Sequence, residues 1–174
     1  MRIRGLLPRN EEGAVLVLCL ITLVLLTLIG VSATTTSRLE VEISGNDKTY
    51  KEAFYAAEMA LTAGETVVNS LPTRIDLDDG TKPGRYVKGT QPAWGQLVWN
   101  NTYSAVVSPV PSGFSKVSDS PRYTIEERNF RRDSLTVGLG VPTGTYLFTV
   151  RSQGTGTSKA AHVLLESIYA QHYN

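Results

Sequence analysis

The residues with the widest chemical repertoire in this chain are two imidazoles, His162 and His172, and one thiol, Cys19. An imidazole works as a general base only within reach of a group it deprotonates, with a third group to orient it. Neither histidine has such a partner at useful spacing: His162 falls in an expected strand and His172 close to the last residue. The chain has no Gly-x-Ser-x-Gly elbow and no His-Glu-x-x-His pair, and its thiol lies inside an apolar run. These residue types argue against an enzyme and imply neither a cofactor nor a catalytic metal.

Three weaker constellations remain. Asp76, Asp78 and Asp79 ahead of Gly80 offer the oxygen ligands a calcium ion prefers, but their spacing departs from the EF-hand loop and suits an acidic turn better. Arg128, Arg131 and Arg132 around Phe130 form a small basic-aromatic patch, offset by Glu126, Glu127 and Asp133. The run 152–158 (SQGTGTS) lacks the Gly-Lys-Ser/Thr ending of a phosphate loop and is followed by a strand pattern, so it reads as a hairpin turn.

The elements that would position any function begin with an apolar run at residues 14–33 (AVLVLCLITLVLLTLIGVSA), which contains no charge. Twenty residues at about 1.5 Å each make roughly 30 Å of helix, the hydrocarbon thickness of a bilayer. Arg2, Arg4 and Arg9 precede the run and only Arg38 follows it closely, so the positive-inside bias expects a cytoplasmic N-terminus and an exported remainder. With Cys19 in the run, the exported part holds no thiol and no disulfide of its own. Loss of residues 1–13 would remove three Arg and two Glu from totals of 17 and 16, leaving 14 of each sign. A neutral domain offers no electrostatic footprint for nucleic acid.

A cleaved signal peptide ending at Val31-Ser32-Ala33 would need an apolar core of about 7–15 residues, shorter than the run from 14 to 31. A plain signal anchor passes the hydropathy test, but the helical period continues far beyond the span. Leu39, Ile43, Tyr50, Ala53, Phe54, Ala57, Ala60, Leu61, Gly64, Val67, Val68 and Leu71 recur on one side, and Lys48, Lys51, Glu52, Glu58, Glu65 and Asn69 fill much of the other. One helix over residues 14–70 is expected, closed by Pro72 and with a bend or brief irregularity at Gly45-Asn46.

A short leader, Gly13 and a charge-free run resemble the precursors of type IV pilins, which prepilin peptidase cuts immediately after the glycine. More closely, Gly13-Ala14-Val15-Leu16-Val17, Thr34-Thr35-Thr36, Ile43-Ser44-Gly45-Asn46 and Ala53-Phe54-Tyr55-Ala56-Ala57-Glu58-Met59-Ala60-Leu61 resemble the PilX N-terminal region. The resemblance covers about residues 11–71, with a fainter likeness in 146–151 and 163–170 to the closing strands of PilX-type proteins, and none in 72–145. It implies cleavage between Gly13 and Ala14, although Glu11-Glu12-Gly13 replaces the basic-Gly ending of many prepilins. It also implies a minor pilin that primes assembly at the pilus tip and in some species influences adhesion. The implied partners are other minor pilins, the major pilin, prepilin peptidase and, before assembly, the inner membrane.

In major pilins of this kind a glutamate stands at the fifth mature position, where it is thought to pair with the charged N-terminus of a neighbouring subunit. Here that position is Leu18, and residues 14–37 contain no carboxylate. Its absence suits a first subunit, although PilX-type proteins as a group lack it and an ordinary anchor would too. Glu58, in the small-residue stretch 56–61, is either an assembly contact or the polar edge of an amphipathic helix.

Beyond Pro72, strand patterns at 96–100, 104–110, 122–127, 144–151 and 159–169 predict an antiparallel sheet packed on the amphipathic half of the helix, a type IV pilin-like α+β fold. The expected organisation is a leader at 1–13, a transmembrane and assembly helix at 14–37, its amphipathic continuation at 38–71 and a β-rich globular part at 72–174. A pseudopilin of a type II secretion system would share these features. A signal-anchored periplasmic binding domain is the reading outside the filament class.

Overall fold

The computed structural model describes residues 11–70, 82–108, 110, 117–133 and 143–173. Two compact units make up the chain, Met1–Asn46 and Asp47–Asn174. One helix, α1, spans Glu11–Ser70. Its first part is built from Leu, Val, Ala and Ile with no proline, and Gly45 and Asn46 both lie within the unbroken helical stretch, so the expected irregularity in the helix is not seen. The helix formers on either side carry the helix through the cost of about 1 kcal/mol that an interior Gly imposes. Pro72 lies outside the described residues.

In the second unit a five-stranded sheet has the order β1 (Arg85–Tyr86), β3 (Arg122–Arg132), β4 (Gly144–Thr155), β5 (His162–Tyr173), with β2 (Ala105–Val106) also paired to β3. The long pairs β3–β4 and β4–β5 are antiparallel, whereas β1 runs parallel to β3, so the sheet is mixed and mostly antiparallel. A bulge between Glu127 and Asn129 adds one residue to β3.

The expected strands at 122–127, 144–151 and 159–169 exist and run longer at their C-terminal ends. The expected turn at 152–158 is displaced: β4 continues through Thr155, and the chain reverses where Gly156 N–H donates to Ala161 O at 2.8 Å and Ala161 N–H to Ser158 O at 3.1 Å. Residues 96–100 are not a strand. Trp94–Gln96 forms a single 3-10 turn, and Leu97 alone of this run is buried. The run at 104–110 contributes only the two residues of β2.

The core of this unit lies between α1 and one face of the sheet. Val68, Ile125, Tyr146, Phe148 and Val150 form one buried cluster, and Ala53, Ala57 and Val163 a second. Strand alternation puts Tyr146, Phe148, Val150, Ser152 and Gly154 of β4 on the helix side, and their neighbours in β5 follow in register. The helix meets the sheet through small residues, and Gly154 is where they are closest. A Cβ there would run into the backbone of Ala53 and Ala57 and sit 2.7 Å from Ala56 C, so only glycine permits this approach.

The apolar period of the helix overstates this core. Ala53, Ala57, Ala60, Gly64 and Val68 are buried as the pattern expects, and Ala56 joins them, but Leu39, Ile43, Tyr50 and Phe54 are exposed. Two residues assigned to the polar side face the sheet: Thr157 Oγ1 donates to Glu52 Oε2 at 2.7 Å, and Ser167 Oγ to Glu65 Oε1 at 2.6 Å.

Candidate functional site

The first unit carries the chemistry of anchoring. From Val15 to Val31 every large apolar side chain is exposed, Leu18 among them at 63%. A fully exposed apolar helix is unstable in water and at home in lipid, provided each backbone polar group is satisfied internally. The hydroxyls obey the same requirement. Thr22, Thr27, Thr34 and Thr35 donate to carbonyl oxygens three or four residues earlier at 2.8–2.9 Å, and Thr36 does so at 3.1 Å.

Gly13 and Ala14 both lie in the first turns of α1, exposed, and a Cβ on Gly13 would meet nothing within 4 Å. The Arg2, Arg4 and Arg9 side chains lie outside the described residues. Glu58 is exposed on α1; its carbonyl accepts from Thr62 Oγ1 at 3.0 Å, and its side chain faces away from the core. Beside it Phe54 and Tyr55 pack edge to face, ring centroids 6.0 Å apart, on the helix surface.

The other sequence candidates are not brought together. His162 and His172 stand at opposite ends of β5. His172 Nε2 is 3.6 Å from Asp133, and its Nδ1 is 3.4 Å from Thr145 Oγ1, an exposed surface contact with no nucleophile. Phe130 does not present its ring to a ligand: it stacks on Tyr146 at 4.2 Å, while Arg128, Arg131 and Arg132 are exposed. Among the described residues no group of three His, Cys, Asp or Glu is placed to hold a metal; Asp76, Asp78 and Asp79 lie outside them.

Pattern reading missed the polar cluster on the far face of the sheet. Arg151 Nε donates to Glu166 Oε2 at 2.8 Å and Arg151 Nη1 to Pro92 O at 3.2 Å, with the guanidinium 4.9 Å from the Trp94 ring centroid. Glu126 Oε1 accepts from Gly89 N–H at 2.8 Å and, more weakly, from Gln91 N–H at 3.4 Å. Gln91 Nε2 donates to Thr124 Oγ1. These bonds hold the segment 89–94 against β3 and β4. No local signal in the sequence marks them, because the partners stand on different elements, 15 residues apart for Arg151 and Glu166 and 33 to 59 for the others.

A long apolar helix whose continuation lies along a mostly antiparallel sheet, with no catalytic constellation among the described residues, defines a pilin-like α+β subunit. Residues 12–62 match the PilX N-terminal family, and residues 42–171 match the type IV pilus assembly protein PilX C-terminal family. The chain belongs to the PilX family of type IV pilus minor pilins: a structural pilus component, held in a membrane by its apolar helix and associating with other pilus components. The second match also covers all of 72–145, where the sequence showed no likeness. No curated protein and no solved structure matches.

Proposed function

We propose that this minor pilin primes filament assembly and occupies the tip complex. The observation that carries the reading is the absence of any carboxylate from residue 14 to 37, with an exposed Leu18 at the fifth position after Gly13. An unpaired charge in an apolar helical bundle costs several kcal/mol, and in a homopolymer that cost would recur at each step. A subunit without the carboxylate suits the one place with no earlier neighbour to pair with. Leu18→Glu is then expected to admit the protein along the shaft.

On this reading the three leader arginines keep the N-terminus cytoplasmic, and prepilin peptidase cuts between Gly13 and Ala14. Exposed Glu58, beside Phe54 and Tyr55, serves as a contact for a neighbouring pilin. N-terminal sequencing of the membrane-bound protein tests the processing step. Ala14 as the first residue is expected; a chain starting at Met1, or at Thr34 after conventional signal cleavage, contradicts it.

A further inference from the structure

The charge-free run ends at Ala33, and Arg38 stands five residues beyond it. At about 1.5 Å per residue that is roughly 7–8 Å, and the headgroup layer on each side of a bilayer is about 5–8 Å deep. Long helical side chains lean back over the turn before them. The Arg38 guanidinium is thereby carried to the level of the lipid phosphates, and the Glu42 carboxylate, one turn further on, to the outer part of the same layer. Arg38 lies with Thr34, Ser37 and Val41 along an open groove of about 370 Å³. Thr34 returns its hydroxyl to Val31 O, whereas Ser37 makes no side-chain hydrogen bond among the described residues. Arg38 and Glu42 share one face of α1, yet they form no ion pair among the described residues. Spacing does not explain this, because Asp47 and Lys51 at the same interval meet at 2.6 Å. The order of charge differs: a carboxylate one turn N-terminal to its cation is the favoured arrangement, and Arg38 with Glu42 is the reverse. Both groups stay exposed, the cation nearer the hydrocarbon and the carboxylate outside it.

We infer that this groove binds a zwitterionic phospholipid, its phosphate on Arg38 and Ser37 and its ammonium on Glu42. The order of charge selects the occupant. Passing outward, a headgroup of this class presents an anion and then a cation, and the helix presents a cation and then an anion. An anionic lipid with an uncharged headgroup satisfies Arg38 alone and meets the repulsion of Glu40 and Glu42, two carboxylates against one guanidinium. The site requires only a helix held in a membrane, so it stands or falls separately from the priming and tip reading.

The test places the full-length protein in nanodiscs of equal parts phosphatidylethanolamine and phosphatidylglycerol and counts the lipids it retains by native mass spectrometry. Phosphatidylethanolamine is expected in about two- to fivefold excess, the range that an exposed ion pair supplies. Glu42→Gln is expected to bring the ratio to about one, and Arg38→Gln to lower retention of both lipids severalfold. Glu40→Gln, which lies round the helix from the groove, is expected to leave the excess intact. Helical circular dichroism checks each variant, and if one loses it the unsubstituted protein and the remaining variants decide. No excess, or an excess of phosphatidylglycerol, overturns the inference. So does unchanged retention with Arg38→Gln, or an excess that Glu40→Gln removes as fully as Glu42→Gln, which would trace it to net charge and not to the groove.

Discussion

Arg151 does more than form an ion pair. Its guanidinium reaches Glu166 on β5, the Pro92 carbonyl and the Trp94 ring, and its side chain is only 16% exposed. A lone surface pair contributes about 0–1 kcal/mol, but a partly desolvated arginine with three kinds of partner contributes more. Arg151→Ala is expected to destabilise the domain by about 1–3 kcal/mol. The segment around Trp94 should loosen, which a red shift of indole emission would report. An unchanged denaturant midpoint and unchanged emission would mean that segment 89–94 is held by Glu126 and Thr124 alone.

At the scale of elements, the helix–sheet contact depends on side-chain size. Buried Ala53, Ala56, Ala57 and Ala60 let the helix lie close to β4, and Gly154 completes the fit from the strand side. Gly154→Ala sets a methyl group against helix backbone that cannot rotate out of the way. A loss of about 2–4 kcal/mol is expected, read as a lower denaturant midpoint, while Gly95→Ala, where a Cβ meets nothing, should cost far less. Equal effects at the two sites would show that the helix does not bear on β4 as described. The helix and the three long strands were legible because each carries its own local pattern, helical over the long N-terminal stretch and β-branched or aromatic over 122–127, 144–151 and 159–169. The sequence did not disclose which part of the apolar stripe is covered: Leu39, Ile43, Tyr50 and Phe54 belong to the expected stripe yet are exposed, and beside Phe54 it is Ala53 and Ala57 that meet the sheet. The two-residue strand β1 was equally unreadable, and β2 falls in the expected run 104–110 but far shorter than expected, since the pairing of both with β3 is set by tertiary contact. Of the candidate site residues, Gly13, Ala14 and Leu18 come from the resemblance to prepilins and stand as proposals, while the Arg151–Trp94–Glu166 cluster depends on contacts across the fold that leave no local pattern.

For the molecule as a whole, three tyrosines make the stability of the sheet-bearing unit sensitive to alkaline pH. Burial raises the phenols of Tyr86, Tyr123 and Tyr173 above their ordinary 10.0; Tyr103 adds to the effect at Tyr86 and Tyr146 at Tyr173, whereas Arg85 opposes it at Tyr123. A folded chain that keeps these protons after the unfolded chain has lost them is the form that binds more protons, so stability falls as pH rises above 10. Below about pH 9 both states hold the protons and this contribution is flat. Thermal melts of the full-length protein between pH 8 and 11 should show a constant midpoint giving way to a steep decline, with phenolate absorbance lagging behind free tyrosine. A midpoint that stays level through pH 11 would contradict the burial of these phenols.

On the proposed function, the apolar helix lets this subunit enter a pilus and Leu18 keeps it from forming the shaft. Quantitative mass spectrometry of sheared, purified pili measures that directly. This protein is expected at a very small ratio to the major pilin, beginning at Ala14, with fewer pili on cells that lack it. Recovery of the wild-type protein as the dominant pilus component would contradict it.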